Sequence, residues 1–149
     1  MENEQLLVFN LDKEEFGLNI KHIDQIIQYS QTVKVPDTPD FIEGLLSLRG
    51  QIYTVFNLRR RFGFPTCEFD EMTKIIIVKV NSISFGLIVD GVKEILRYEE
   101  ANIENTSKTR SNINNKFIIG SIRFDERIIE ILAVNEVVSF IEDELKANA

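Results

Sequence analysis

The stretch FIEGLLSLRGQIYTV, residues 41–55, contains the pattern that decides the fold. Apolar residues lead into Arg49-Gly50 and out again, which is typical of two antiparallel strands joined by a tight turn where glycine accepts a positive φ angle. After a shift of 76 positions the pattern recurs in FIIGSIRFDERIIEI, residues 117–131, and after a shift of 69 positions residues 6–29 align with residues 75–98. Because a duplicated sequence sets the architecture, we expect two similar lobes with a groove or interface between them.

Each copy contains five short apolar segments separated by polar turns, which favours a small closed barrel that leaves few exposed strand edges. The sequence therefore predicts a mainly β protein, with two five-stranded barrels packed side by side and short helices. We assign residues 1–149 to a single domain, with lobe 1 at about residues 1–66 and lobe 2 at about residues 67–149. Asn57 is a predicted helix N-cap in lobe 1, and Asn135 is predicted to cap a C-terminal helix at about residues 135–147.

The composition disfavours several classes of function. A net charge of −7 argues against a nucleic-acid partner, whose phosphates would be repelled. No apolar stretch approaches the length of about 18–20 residues that a membrane span needs, so we expect no direct membrane insertion. The single cysteine, Cys67, forms no internal disulfide and suits a reducing compartment, so we expect a cytoplasmic protein.

Residues that could carry catalysis are scarce. His22 is the only histidine and has no cysteine partner at ligand spacing, so we expect no metal site. Glycine-rich phosphate loops are absent from the sequence, and acidic pairs such as Asp70-Glu71 lie in polar connections, where solvated charge is the simplest interpretation. We therefore expect a protein that is not an enzyme and uses no cofactor.

Two strands are apolar at every position, at residues 6–9 and 75–78. A barrel strand needs only one inward face, so the second face must also be covered. Either the two lobes cover each other completely, or part of the surface is left for a protein partner. The sequence leaves both alternatives open.

The copies differ at the turn. Where the second copy has Asp125-Glu126, the first has Arg49-Gly50. The fold needs a turn at both places but an arginine at neither. Arg49 is therefore either an exposed turn residue without further role or a residue with a function.

The segment at residues 35–59 resembles the signature of the CheW-like family of chemotaxis coupling proteins. That family typically shows a V-P-x-x-P-x-F-I-x-G stretch, an N-L-R-G box and a D-L-R triplet, which correspond here to residues 35–44, 47–50 and 57–59. The similarity continues through residues 85–92 and covers essentially the whole chain. This sequence departs from the family pattern at Ser47, which replaces the usual Asn, at Asn57, which replaces the usual Asp, and at Gln25, where many members carry Glu.

The resemblance implies two SH3-like barrels and a non-enzymatic adaptor that couples methyl-accepting chemoreceptors to the histidine kinase CheA in membrane-associated arrays. The receptor's helical hairpin would lie in the groove between the lobes. The resemblance assigns receptor contact to Arg49, Ile23 and Gln25, and contact with the regulatory domain of CheA to Leu7 and Ile20. The alternatives are a CheW-like scaffold in a non-chemotactic kinase array and a double barrel that binds a small molecule in the inter-lobe groove.

Overall fold

The computed structural model describes residues 4–105 and 113–139 of the chain. The mainly β fold is confirmed, and these described residues contain ten strands that match the predicted segments. In chain order these are β1 (Glu4–Leu11), β2 (Glu14–Asn19), β3 (Ile23–Gln28), β4 (Ile42–Leu48), β5 (Gln51–Asn57), β6 (Lys74–Val80), β7 (Ile83–Val89), β8 (Gly91–Tyr98), β9 (Ile118–Phe124) and β10 (Arg127–Leu132). Within the described ranges, no helix is both long enough and apolar enough to cross a membrane.

The strands form two five-stranded sheets that exchange strands between the copies. Sheet A has the order β8-β1-β2-β10-β9, and sheet B has the order β3-β6-β7-β5-β4. Each sheet thus combines two strands from one copy with three from the other. The sheets consequently do not follow the predicted division at residues 66 and 67, because the chain leaves one sheet for the other after β2 and again after β7.

The expectation that hydrogen bonds close each barrel is wrong, since the strand order leaves β8 and β9 as edges of sheet A and β3 and β4 as edges of sheet B. Each sheet instead curls around its own hydrophobic cluster. In sheet B, Ile27 of β3 and Leu48 of β4 pack against the same buried cluster. In sheet A, Leu96 of β8 and Phe124 of β9 do the same. The SH3-like description therefore fits the curled shape, although apolar packing rather than a continuous ladder brings the edges together.

The alternation of side chains along β1 explains why this strand is apolar at every position. Leu6 and Val8 belong to the cluster inside sheet A. Leu7 and Phe9 belong to a larger cluster that also contains Ile76 of β6, so this cluster lies between the two sheets. The second face of the strand is therefore covered by the other sheet.

Two helices begin at equivalent positions of the repeat, at residues 58 and 134. The first, α1 (Leu58–Phe62), has the predicted Asn57 cap, whose side chain accepts a hydrogen bond from the Arg60 N–H. The second, α2, covers residues 134–139. Its first turn is closed by a bond from the Val137 N–H to the Ala133 carbonyl, so it begins earlier than the predicted cap at Asn135. Residues 140–147 of the predicted helix lie outside the described residues.

The duplication extends to backbone contacts. The N–H of Asn57 donates to the Phe41 carbonyl at 2.7 Å, and at the positions shifted by 76 the N–H of Ala133 donates to the Phe117 carbonyl at 2.8 Å. A Cβ atom on Gly44 would lie 2.5 Å from the Val33 carbonyl oxygen, and one on Gly120 would lie 2.6 Å from that of Glu104. The glycine of the F-I-x-G motif is thus required in both copies, because the backbone of a connecting segment passes directly against it at an isolated β-bridge.

Candidate functional site

The turn between β4 and β5 presents Arg49 to solvent. Arg49 has a φ angle of 51° and Gly50 one of 81°. Positive φ at both central residues is what a tight two-residue hairpin requires, so the predicted turn is confirmed. Arg49 is exposed and forms no ion pair with any residue in the ranges 4–105 and 113–139.

The other two residues predicted to contact the receptor, Ile23 and Gln25, lie on opposite faces of β3. Ile23 lies opposite Val78 and packs against the cluster between the sheets, whereas Gln25 lies opposite Ile77, which belongs to the cluster inside sheet B. A register shift between Ile23 and Gln25 separates the two side chains. Ile23 and Gln25 are both half-buried, and they do not share one surface.

The register shift reveals a residue that sequence reasoning missed. Ile26 lies opposite Ile76 and therefore shares the face of Ile23, and it is 40% exposed. Strict alternation along the sequence would have placed Ile23 with Gln25, because a bulge of this kind leaves no mark in the apolar pattern.

Two further exposed apolar residues lie on neighbouring strands near the Arg49 turn. Thr54 of β5 pairs in parallel with Phe85 of β7, which sets Ile52 beside Ile83 on one face. Ile52 is 69% exposed and Ile83 is 49% exposed. We name Arg49, Ile52 and Ile83 together the turn patch.

In sheet A, ion pairs surround the start of β10, directly after the β9–β10 turn that corresponds to the Arg49 turn. Arg127, the first residue after the β9–β10 turn, lies 2.6 Å from the Glu15 carboxylate and 2.7 Å from that of Glu94. Lys93 adds a second contact to Glu15 at 3.3 Å. The hydrogen bond that Arg127 donates lowers the pKa of Glu15, and donating hydrogen bonds to Glu15 and Glu94 raises the pKa of Arg127. The β9–β10 hairpin is thereby tied electrostatically to β2 and to the edge strand β8.

The equivalent positions in sheet B carry different residues. The positions that correspond to Arg127, Glu94 and Glu15 are Gln51, Gln25 and Ser84. All three are neutral, and Asp24 stands at the position of Lys93. In the part of the chain that the structure describes, none of these four residues forms an ion pair, and the β4–β5 turn instead exposes Arg49.

The two residues predicted to contact the kinase have different surroundings. Leu7 is 3% exposed in the cluster between the sheets and offers a docked protein almost no surface. Ile20 is half-buried against the same cluster. Ile95 lies directly opposite Leu7 on the edge strand β8 and is 54% exposed, so this neighbour provides the apolar surface that Leu7 lacks.

The arginine of the D-L-R-like triplet joins parts of the structure that are distant in sequence. Arg59 in α1 makes a bidentate contact with the Asp90 carboxylate, with Nη2 2.6 Å from Oδ2 and Nε 2.9 Å from Oδ1. Asp90 also accepts the backbone N–H of Asp12 at 2.7 Å, and it raises the pKa of Arg59. The triplet therefore connects α1, the β1–β2 hairpin and the β7–β8 junction, a structural role that its sequence spacing could not reveal.

A cavity of about 310 Å³ is the place where a small molecule could be sought. Its lining includes Asn19, His22 and Tyr98, with the Asn19 amide donating to the Tyr98 hydroxyl at 2.8 Å. Burial lowers the pKa of His22. This volume is at the lower end of the range of about 300–1,000 Å³ for ligand pockets. In the described part of the chain, no group of three or more His, Cys, Asp or Glu residues is arranged to hold a metal ion.

Two curled five-stranded sheets that exchange strands, each with a protruding hairpin turn, define a duplicated SH3-like β protein. Residues 5–142 match the family model described as CheW-like domain, and the chain therefore belongs to the CheW-like domain family.

Three similar proteins support the assignment to this family. The crystal structure of the scaffolding protein TtCheW from Thermoanaerobacter tengcongensis is 32% identical, with a TM-score of 0.85 over 92% of this chain and 88% of that one. Chemotaxis protein CheW of Thermotoga maritima is 30% identical over 139 residues, which cover 90% of this chain and 87% of the relative. Chemotaxis protein CheW of Klebsiella aerogenes is 28% identical over 136 residues, which cover 91% and 82%.

Proposed function

We propose that this chain is a non-enzymatic chemotaxis adaptor that couples methyl-accepting chemoreceptors to the histidine kinase CheA. The relatives named CheW and the scaffolding protein with the same fold support a role in chemotaxis assemblies. The observation that carries the receptor part of the proposal is the contrast between the two hairpins. The sheet A hairpin uses Arg127 in an internal ion cluster, whereas the sheet B hairpin exposes Arg49, which forms no ion pair with any acid in the described part of the chain.

The proposed receptor contact is the turn patch together with β3. Arg49 supplies a planar, permanently charged donor, and Ile52 and Ile83 supply exposed apolar surface. Ile23 and Gln25 remain in the proposal, and Ile26 joins them because it extends the face of Ile23 to the surface. Exposed apolar residues beside a charged donor, as at the turn patch, suit an amphipathic helix.

The proposed kinase contact is β8, one of the two edge strands of sheet A. Ile20 stays in the proposal, whereas Leu7 would act only indirectly, by supporting β8 from the interior. Ile95 takes the place of the exposed apolar contact. An edge strand is suited to this role because its unpaired backbone groups and alternating side chains can meet another sheet edge.

Reconstitution tests the proposal. Receptor-containing membranes, CheA and the purified chain are sedimented together, and the bound chain and the kinase autophosphorylation are measured. We expect the wild-type chain to co-sediment with the membranes and to increase the CheA that is recruited, and Arg49→Gln to reduce both. Arg123→Gln is the matched control, since Arg123 is an exposed arginine on the corresponding hairpin of sheet A. Failure of the wild-type chain to associate with either receptor or kinase would reject the function.

A further inference from the structure

We infer that the helix docked at the turn patch carries an acidic side chain that pairs with Arg49, an inference that rests on the proposed function and specifies the chemistry of the partner. The starting point is a contrast with two other arginines, each of which has a carboxylate partner within the fold. Arg59 pairs with Asp90, and Arg127 pairs with Glu15 and Glu94. At these sites the fold itself provides the carboxylate.

For Arg49, no carboxylate among residues 4–105 and 113–139 forms an ion pair. The sheet A corner places Glu94 2.7 Å from Arg127, but the corresponding residue of sheet B is Gln25. The amide of Gln51, at the position of Arg127, is engaged locally, because its Oε1 accepts a hydrogen bond from the Tyr53 hydroxyl at 2.8 Å. The duplicated scaffold therefore repeats these positions in sheet B but replaces both glutamates with neutral residues. The acid that does occur there, Asp24 at the position of Lys93, forms no ion pair with Arg49 in the described structure.

The surroundings of Arg49 show what would complete the contact. Ile52 and Ile83 are 69% and 49% exposed on neighbouring strands. A partner helix that covers them and reaches the Arg49 turn would remove water from around the guanidinium. A guanidinium that loses its water needs strong acceptors, and a carboxylate matches its fork with two hydrogen bonds and the opposite charge. A backbone carbonyl on a helix offers neither, because it is occupied within the helix.

The inferred occupant is therefore an amphipathic receptor helix with apolar residues facing Ile52 and Ile83 and an Asp or Glu at the edge of that face. Aspartate and glutamate three or four positions from an apolar anchor lie on the same side of a helix, so one helix can make both contacts. The overall charge of −7 disfavours acidic partners in general, which makes the exposed Arg49 a local determinant of where such a helix can dock.

The test measures the binding of the full chain to a soluble fragment that carries the cytoplasmic tip of a methyl-accepting chemoreceptor, at NaCl concentrations between about 50 and 400 mM, where screening increases strongly. The variants are Arg49→Gln, Arg49→Lys and the control Arg123→Gln. Gln and Lys keep a Cβ atom at the positive-φ position, so the turn itself is unchanged. We expect wild-type affinity to fall with salt, and Arg49→Gln to bind about two- to fivefold more weakly with a shallower salt dependence. Arg49→Lys should keep the salt dependence, and Arg123→Gln should match the wild type.

Charge reversal identifies the acid. Arg49→Glu should bind poorly, and one Asp→Lys or Glu→Lys change on the receptor fragment should restore its binding. An Arg49→Gln variant that binds more weakly with an unchanged salt dependence, or a lack of rescue by any such reversal, would overturn the inference and leave the adaptor function standing. A wild-type chain that does not bind the fragment at any salt concentration would instead reject receptor coupling itself.

Discussion

Phe41 and Phe117, which occupy equivalent positions in the two copies, hold the guanidinium of Arg61 between their rings. The Cζ atom of Arg61 lies 4.4 Å from each ring centroid. Arg61 also donates from Nε to the Val137 carbonyl in α2 at 3.1 Å, and burial lowers its pKa to about 10. One arginine of the first copy therefore joins the corresponding aromatic residues of both copies.

Removing this contact should destabilise the fold. We expect Arg61→Ala to reduce the free energy of unfolding by about 2 kcal/mol, because it deletes two largely desolvated cation–π contacts and the packing of a long side chain. Arg60→Ala is the control, since Arg60 is exposed and its ion pair with Asp40, at 4.0 Å, is long. The free energy of unfolding of this variant should stay within about 0.5 kcal/mol of the wild type. Urea unfolding measures both, and equal stability of the two variants would contradict this role for Arg61.

The contact between Arg59 and Asp90 should show direct coupling. The two side chains are 14% and 20% exposed and share a bidentate contact, so we expect a double-mutant cycle of Arg59→Ala and Asp90→Ala to give a coupling energy of about 1–3 kcal/mol. Additive effects in thermal or urea unfolding would show that α1 and the β7–β8 junction are held by packing alone.

The ion cluster of sheet A should make stability depend on pH. Arg127 lowers the pKa of Glu15 below its ordinary value of 4.5 in the folded state. As the pH falls, Glu15 therefore binds a proton at a higher pH in the unfolded chain than in the folded one. The stability that its ion pair contributes is complete above about pH 4.5 and is lost as the pH falls through the lower pKa of the folded state. We expect Arg127→Gln to be less stable than the wild type by about 1 kcal/mol at pH 7 and to approach it as the pH falls below 4.5 through the lowered pKa of Glu15. A difference that stays constant with pH would contradict the ion-pair account, and Arg123→Gln should show no difference at either pH.

The single histidine allows a second pH test. Burial lowers the pKa of His22 below its ordinary value of 6.5. The unfolded state therefore binds the proton more readily, and His22 should reduce stability as the pH falls below about 6.5. We expect an NMR titration of the imidazole to give a midpoint below 6.5, and His22→Asn to weaken the pH dependence of unfolding between pH 7.5 and 5.5. A midpoint above 6.5 would show that the folded structure stabilises the imidazolium.

The sequence predicted the local elements of this protein better than their arrangement. Alternating apolar residues indicated the strands, and Asn57 and Arg49-Gly50 indicated a helix start and a turn, because these depend on neighbouring residues alone. The exchange of strands between the copies was missed, because apolar strands such as residues 6–9 and 75–78 fit either sheet equally well.

The site could be predicted only in part for a related reason. Arg49 stood out because the repeat lacks an arginine at the corresponding turn. The burial of Leu7 and the exposure of Ile26 depend on which face each strand turns toward the other sheet, and a register shift within β3 decides this for Ile26.

The most direct test of the central claim compares the two hairpins by crosslinking. Ile52, beside the Arg49 turn, and Ile128, its equivalent in sheet A, are each changed to cysteine in a Cys67→Ser background and labelled with a photoreactive group. With the receptor fragment present, the account predicts an adduct from position 52 and none from position 128. Equal adducts from both positions, or an adduct from position 128 alone, would contradict it.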